Sequence, residues 1–309
     1  MLKLEELKTD VHNDWCPGCG DLGILSALQQ VLAELDVPRE KIAVFSGIGC
    51  SGKTPHFLNV FGIHTLHGRS LPIAAGAKLA NKDLTVLAVG GDGDGYGIGA
   101  GHFVATGRRN LDLTYIVFNN GVYGLTKGQS SPTLANGLRT KSMPAASIVE
   151  GVNPIALAIC AGYTFVARSY ALNVKHVKQT ILAGIRHKGT ALIDVLQPCP
   201  TYNDLHTKEY WSGADLPEKR PRIVDLQQEG FDAVVHDPAS EEEVLRKKTA
   251  GVTKALEKSD REPIGVFFQW ATRTYGEQLE KRMPALAAKP LAEADLFGRD
   301  ISSLMAELA

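Results

Sequence analysis

From Leu84 to Leu125 the chain reads LTVLAVGGDGDGYGIGAGHFVATGRRNLDLTYIVFNNGVYGL, and this stretch decides the fold. The apolar, β-branched run at 86–89 predicts a strand that ends in Gly90-Gly91-Asp92-Gly93-Asp94-Gly95. A small-residue helix is expected from about Ile98 to Arg108. A second apolar run, 113–118, predicts another strand and stops at Asn119-Asn120-Gly121. Strand, glycine turn, helix and strand make one βαβ unit with polar residues at both strand ends. In open parallel sheets ligands sit beyond the carboxyl ends of the strands, which puts Asp92 and Asn120 close together there. Glycines remove side chains and permit positive φ, so backbone N–H groups can approach a phosphate. A carboxylate and an amide oxygen are hard ligands that suit Mg²⁺. The pattern asks for a metal-bound diphosphate.

Working outward, composition sets broad limits. The chain has 309 residues, 44% hydrophobic and 22% charged, which describes an ordinary soluble globular protein with a sizeable core. A net charge of −1 gives no electrostatic case for nucleic acid or an anionic membrane. No apolar run reaches the roughly 18 residues of a membrane span, and the N-terminal stretch lacks a secretory apolar core. A cytoplasmic location is expected. Five is an odd number of cysteines, and with no export signal those that cluster are read as metal or redox ligands rather than a disulfide framework.

Residues 1–14 read as an irregular arm. Trp15-Cys16-Pro17-Gly18-Cys19-Gly20 presents two thiols from one loop to one centre, as zinc and iron–sulfur sites both require. Asp21 is positioned to cap an amphipathic helix over 22–35. A strand at 41–45 runs into Ser46-Gly47-Ile48-Gly49-Cys50-Ser51-Gly52-Lys53-Thr54, a formal Walker A match. Pro55 weighs against a nucleotide P-loop, and so does the absence of a convincing Walker B strand at the usual distance, the nearest candidate, 86–92, being already used by a better-specified motif. On the competing reading Cys50 joins Cys16 and Cys19, and Lys53 is a cation near the active site. His64 reads as serving local backbone groups; His67, in an HGR triplet, is open to either a substrate role or the same local one. Residues 72–81 form a small-residue helix.

Beyond Leu125, Lys127 and Gln129 lie in a polar loop where they face a substrate carboxylate or simply solvent. Residues 134–153 make a long ordered loop. Helices are expected over 153–161 and 173–186, with strands at 165–167 and 191–196, and Cys160 is read as a core residue. Gln197-Pro198-Cys199-Pro200 puts a fourth thiol at the same sheet edge, enough for one [4Fe–4S] cluster, with zinc as the competing tenant. After residue 200 the character changes: a charged segment at 218–222, a charged helix within 237–258, a strand at 264–270 and helical pieces broken at Pro284 and Pro290. The division expected is an α/β cofactor-binding domain at 1–200 and an extension, 201–309, packing on it and on a partner.

The Gly91-Asp92-Gly93 triplet followed by Asn119-Asn120, with residues 94 to 118 between, resembles the thiamine diphosphate motif. It implies that Asp92, Asn120 and the main-chain oxygen of Val122 hold Mg²⁺ on the diphosphate. Together WCPGCG, GIGCSGK, HGR, GDGDGYGIG, NN, YGLTKGQ and QPCP resemble the β subunits of the 2-oxoacid:ferredoxin oxidoreductases, over residues 12–200; YGLTKGQSSPT looks more like the 2-oxoglutarate members. The resemblance implies a doubly wound parallel sheet, a site built from Ile48, Gly49, Cys50, His67, Gly91, Asp92, Gly93, Asp94, Asn120, Val122, Gly124 and Leu125, and a cluster on Cys16, Cys19, Cys50 and Cys199. It implies thiamine diphosphate, Mg²⁺ and one [4Fe–4S] cluster as cofactors. Coenzyme A-dependent oxidative decarboxylation of a 2-oxoacid, with electrons passing to ferredoxin, is the activity that the resemblance implies. His67, Lys53 and Lys127 take catalytic positions, the two lysines facing the second carboxylate of a dicarboxylic oxoacid. No pattern in this sequence supplies the carboxylate that activates the cofactor; the resemblance implies that it comes from a separate α subunit, which is expected as partner. A pyruvate or broad 2-oxoacid enzyme is the alternative; a non-redox thiamine lyase and a P-loop module are more remote.

Overall fold

The four runs at the centre of the chain are apolar on both faces, as strands covered by helices on two sides must be. Residues 2–293 and 302–307 are described by the computed structural model. A 3₁₀ turn, Leu4–Leu7, leads into α1 (Gly20–Glu34), β1 (Ile42–Ser46), β2 (Phe61–His64), α2 (Ser70–Ala80), β3 (Thr85–Gly91), α3 (Ala100–Arg109) and β4 (Leu113–Asn119). A small hairpin, β5 (Val122–Tyr123) with β6 (Gln129–Ser130), precedes α4 (Pro154–Ala161), β7 (Phe165–Tyr170), α5 (Val174–Arg186) and β8 (Thr190–Leu196). Then come α6 (Lys208–Ser212), β9 (Ile223–Asp225), α7 (Glu241–Leu256), β10 (Glu262–Gln269) and α8 (Tyr275–Arg282), with short helices at Ala285–Ala288 and Ser302–Glu307. The rest of the expected helical tail lies outside the described residues.

One eight-stranded sheet runs β2-β1-β3-β4-β8-β7-β10-β9. Its pairs are parallel except β10 with β7, which is antiparallel. Every residue of β1, β4 and β8 is buried. On one face α1 and α5 cover the sheet with Ile24, Leu28, Val31, Val177 and Ile181. On the other, α2, α3, α4 and α7 close over Phe45, Tyr115, Val117, Phe267 and Phe268. The strand expected at 264–270 does not start a separate layer: β10 and β9 extend the same sheet, and α7 packs on α4.

Four expectations need correction. The first 14 residues are not wholly irregular, because Leu7 of the 3₁₀ turn is fully buried in the α1 core. Helix α2 begins at Ser70 and carries Pro72 in its first turn, where a missing N–H costs nothing. Cys19, not Asp21, is the N-cap of α1, and Asp21 is fully buried inside the first turn. Cys160 is exposed rather than core, since α4 turns Ile155, Ala158 and Ile159 inward instead.

Candidate active site

Register delivers the site. Gly91 pairs with Phe118 and Asn119 with Leu196, so the ends of β3, β4 and β8 stand level. One residue beyond β3, Asp92 is 2% exposed. Its Oδ2 accepts from the Gly121 amide at 3.0 Å, the Ser131 hydroxyl at 2.5 Å and the Thr133 hydroxyl at 2.6 Å. Burial pushes the Asp92 carboxyl up, and the bonds from Ser131, Thr133, Gly93 and Gly121 pull it partway back. Asn120 Oδ1 accepts from the Val122 amide at 3.0 Å, and its carbonyl accepts from Asn203 Nδ2 at 2.8 Å. The turn from β4 into β5 is thereby fixed around Gly121, whose φ of +76° is the reason for a glycine there.

Asp94 ties three loops together. Its Oδ1 accepts from the amides of Ile48 at 2.9 Å and Gly68 at 2.7 Å, and lies 2.8 Å from His67 Nδ1. The other oxygen, Oδ2, is buried against Gly47 and Gly90, which have no Cβ to clash with it, and has no hydrogen-bond partner among the described residues. Between β3 and α3 the chain makes a π-helical turn, Gly93–Ile98, in place of the expected loop. Such turns are frequent at functional sites.

Ile48, Gly49, Cys50, His67, Gly91, Asp92, Gly93, Asp94, Asn120, Val122, Gly124 and Leu125 all line one pocket of about 630 Å³, part of it open to solvent. Ser51, Phe118, Tyr123, Thr126 and Gln197 complete the wall. Gly49 has φ +125° and open space where a Cβ would stand, so its backbone is bare toward a ligand. Two carboxylates in a buried wall repel a diphosphate unless a cation lies between them; with the amide oxygen of Asn120 beside them, the donor set fits Mg²⁺ and a diphosphate. Lys53 and Lys127 are not part of the lining. Lys53 pairs with Asp14 at 2.6 Å, and Lys127 sits with φ +79° in the β5–β6 turn. Ser51–Phe57, a 3₁₀ helix rather than the α-helix of a P-loop, ends the Walker A reading. His64 Nδ1 lies 3.3 Å from His56 Nε2, a local contact.

Of the four thiols named from the sequence, Cys50 lines this pocket and lies close enough to Cys16, Cys19 and Cys199 to feel their charges. Trp15 Nε1 donates to the Cys50 carbonyl at 2.8 Å, the Gly20 amide to the Pro198 carbonyl at 3.2 Å, and the Thr201 hydroxyl to Cys16 Sγ at 3.1 Å. These bonds draw the Cys-x-x-Cys loop to the ends of β1 and β8. Burial raises the thiols of Cys19, Cys50 (to about 11) and Cys199; neighbouring charges, including those of the other cysteines, add to the rise for Cys19 and Cys50. Among the described residues no group of three or more His, Cys, Asp or Glu converges on a point that would hold a single ion. A four-iron cluster gives each thiolate its own iron and so accepts ligands that stand apart.

The comparisons fit this geometry. Residues 47–195 match the family model for the thiamine pyrophosphate enzyme C-terminal TPP binding domain, and 199–283 match the model for the C-terminal part of the pyruvate ferredoxin oxidoreductase beta subunit. A 2-oxoacid:ferredoxin oxidoreductase subunit beta from Saccharolobus solfataricus is 54% identical over 91% of this chain and 90% of that protein. This chain belongs to the β subunits of the 2-oxoacid:ferredoxin oxidoreductases. Another such subunit, from Aeropyrum pernix, is 51% identical over 93% of this chain and 90% of its own length. The solved 2-oxoglutarate:ferredoxin oxidoreductase from Magnetococcus marinus, with 2-oxoglutarate, coenzyme A and succinyl-CoA bound, is 31% identical; the match covers 100% of this chain and 96% of that one with a TM-score of 0.83. The protein is therefore an oxidoreductase subunit of thiamine diphosphate-binding fold, and as a β subunit it implies an α partner. Among the described residues no helix is long and apolar enough to cross a membrane.

For this β subunit, sequence reasoning missed what stands behind the pocket. Asp194, fully buried in β8, accepts from Asn119 Nδ2 and Tyr96 Oη at 3.1 Å each and from Arg168 Nε at 2.9 Å. Arg168 continues to Glu262 on β10. One buried acid thus braces both halves of the glycine–asparagine motif. A signal was present: an acid in TALIDVL and an arginine in FVARSY, each alone in an apolar strand.

Proposed function

We propose that this β subunit, together with its α partner, carries out the coenzyme A-dependent oxidative decarboxylation of 2-oxoglutarate to succinyl-CoA and CO₂, passing the electrons through a [4Fe–4S] cluster to ferredoxin. The convergence of the whole expected cofactor set on one pocket, with Cys50 in its wall, carries the reading. Asp92, Asn120 and the Val122 carbonyl would hold Mg²⁺, and Cys16, Cys19, Cys50 and Cys199 the cluster. Bound thiamine diphosphate would supply the electron sink for loss of CO₂, and a cluster on the four cysteines would supply the electron acceptor. The chain's own part is to position and to exclude water. Glycine backbone at 49, 91, 93 and 124 lets the diphosphate lie close; Asp94 fixes His67 through Nδ1, which leaves Nε2 as the ring nitrogen available to substrate. Free cysteines at all five positions suit a reducing, cytoplasmic compartment.

The choice of 2-oxoglutarate draws support from the Magnetococcus structure and from a 2-oxoglutarate oxidoreductase subunit of Mycobacterium tuberculosis that is 44% identical over 65% of this chain and 54% of its own length. Lys53 and Lys127 are the cations assigned to the distal carboxylate, and Lys53 would exchange Asp14 for it. That Lys53–Asp14 pair favours a second reading, in which oxoacids without a distal carboxylate are also accepted.

Electron paramagnetic resonance of the anaerobic αβ complex decides between them. A reduced-cluster or radical signal with 2-oxoglutarate alone supports the first reading; signals with pyruvate as well support the second. Zinc in place of iron, with no signal, removes the redox assignment. The β chain without its partner should turn over neither acid.

A further inference from the structure

We infer that Ser131 and Thr133 are positioning residues for the metal: they commit one oxygen of Asp92 to the protein so that the other is presented to Mg²⁺. The inference rests on the metal reading of the pocket above.

Asp92 follows a strand end, where its own segment offers its carboxylate only the adjacent Gly93 amide. A free carboxylate there could turn either oxygen, or both, toward a cation. Instead the Ser131 hydroxyl at 2.5 Å, the Thr133 hydroxyl at 2.6 Å and the Gly121 amide at 3.0 Å all fall on Oδ2. Hydrogen bonds to an ionised acceptor are the strong ones, and three from fixed donors set the plane of the carboxylate. Oδ1 receives none of these three, and Asp92 is a wall residue of the pocket. The result is a carboxylate held to act as a monodentate ligand.

Thr133 does a second thing. Its Oγ1 is also 2.8 Å from Asn119 Oδ1, so its single proton lies between the carboxylate of Asp92 and the amide of the neighbouring strand end. Asn119 in turn gives its amide protons to Asp194. The hydroxyl therefore registers the β3 end against the β4 end, which is the spacing that a metal bridging Asp92 and Asn120 needs. Ser131 supports it: its oxygen lies 3.1 Å from Thr133 Oγ1, accepts from the Thr133 amide at 3.3 Å, and its own amide donates to the Gly121 carbonyl at 3.2 Å. Ser131 is 4% exposed, so the arrangement is shielded from competing water. Groups that orient ligating carboxylates typically matter by about 10- to 100-fold in metal affinity.

The test uses the αβ complex stripped of cofactor, with Mg²⁺ titrated against a fixed amount of thiamine diphosphate and binding read from intrinsic fluorescence, so that no turnover is needed. Thr133→Val keeps the shape and removes the hydroxyl; Thr133→Ser restores it; Ser131→Ala removes the second donor. A rise of about tenfold or more in the Mg²⁺ concentration required by Thr133→Val and by Ser131→Ala, with Thr133→Ser close to wild type, is expected. Unchanged Mg²⁺ dependence in both hydroxyl-deleted variants overturns the inference while leaving the metal reading intact. Loss in Thr133→Val that Thr133→Ser does not repair also overturns it, because the hydroxyl is then not the cause. Wild-type binding that ignores Mg²⁺ sinks the metal reading itself.

Discussion

His187 shows what burial does to a single residue in this protein. It stands at the C-terminal end of α5, 8% exposed, with Nε2 2.8 Å from the Thr164 hydroxyl. Desolvation lowers its pKa to about 4, against a smaller upward pull from Asp112. The folded state therefore keeps the ring neutral where the unfolded chain, titrating near ~6.5, has already taken up a proton. Below that value the unfolded state binds more protons, so stability falls as pH drops and levels off once the folded ring also protonates near pH 4. The span is worth about 3 kcal/mol. His176 and His206, also lowered by burial, act with the same sign. The urea midpoint should fall on going from neutral pH to about pH 4.5, and His187→Gln should flatten part of that slope; an unaltered slope would acquit His187. At this scale the sequence is least informative. Lys53 read as a free cation because nothing local opposes it, and its partner, Asp14, lies 39 residues away on a loop no periodicity describes.

Elements were legible wherever burial imposes a period. The central strands β1, β3, β4 and β8 carry apolar residues on both faces, and α1 and α5 carry a clear stripe, so the βαβ core could be read directly. β2 could not: all four of its residues are exposed at the sheet edge, and no hydrophobic pattern marks it. β5, β6 and β9 are two or three residues long, too short for any period. The candidate site was legible in its glycines, Asp92 and Asn120, whose chemistry is local, but not in Ser131 or Thr133, which matter only because the segment after β6 folds back over the β3 end. The Glu262–Arg168–Asp194 bridge across β10, β7 and β8 is the strongest case. Removing one partner of a buried ion pair strands the other, at a cost of about 3–5 kcal/mol. Arg168→Met should lower the denaturation free energy by that amount because it leaves Asp194, 0% exposed, without its cation. Adding Asp194→Asn should recover a large part of it, and additive losses in the double variant would mean that the two charges do not depend on each other.

At the scale of the whole molecule, four thiols come from three separate places: the loop before α1, the end of β1 and the end of β8. A cluster bound there ties the N-terminal segment to the sheet edge, so cluster loss should be felt as loosening of residues before α1 as well as loss of electron transfer. The burial of Cys19, Cys50 and Cys199 favours their protonated forms until a metal compensates the charge. Cys160 provides the internal control, being exposed on α4 and outside the gathering. Anaerobic reconstitution of Cys199→Ser with iron and sulfide should fail to give the reduced-cluster resonance, and protease should cut the segment before α1 faster than in wild type. Cys160→Ser should match wild type in both measurements. The same iron content in Cys199→Ser as in wild type would take Cys199 out of the ligand set. Loss of iron with an unchanged cleavage rate would leave the ligands standing but deny the cluster its structural part. The two readouts thus separate the redox role proposed for the thiols from a role in holding the N-terminal loop against the cofactor pocket.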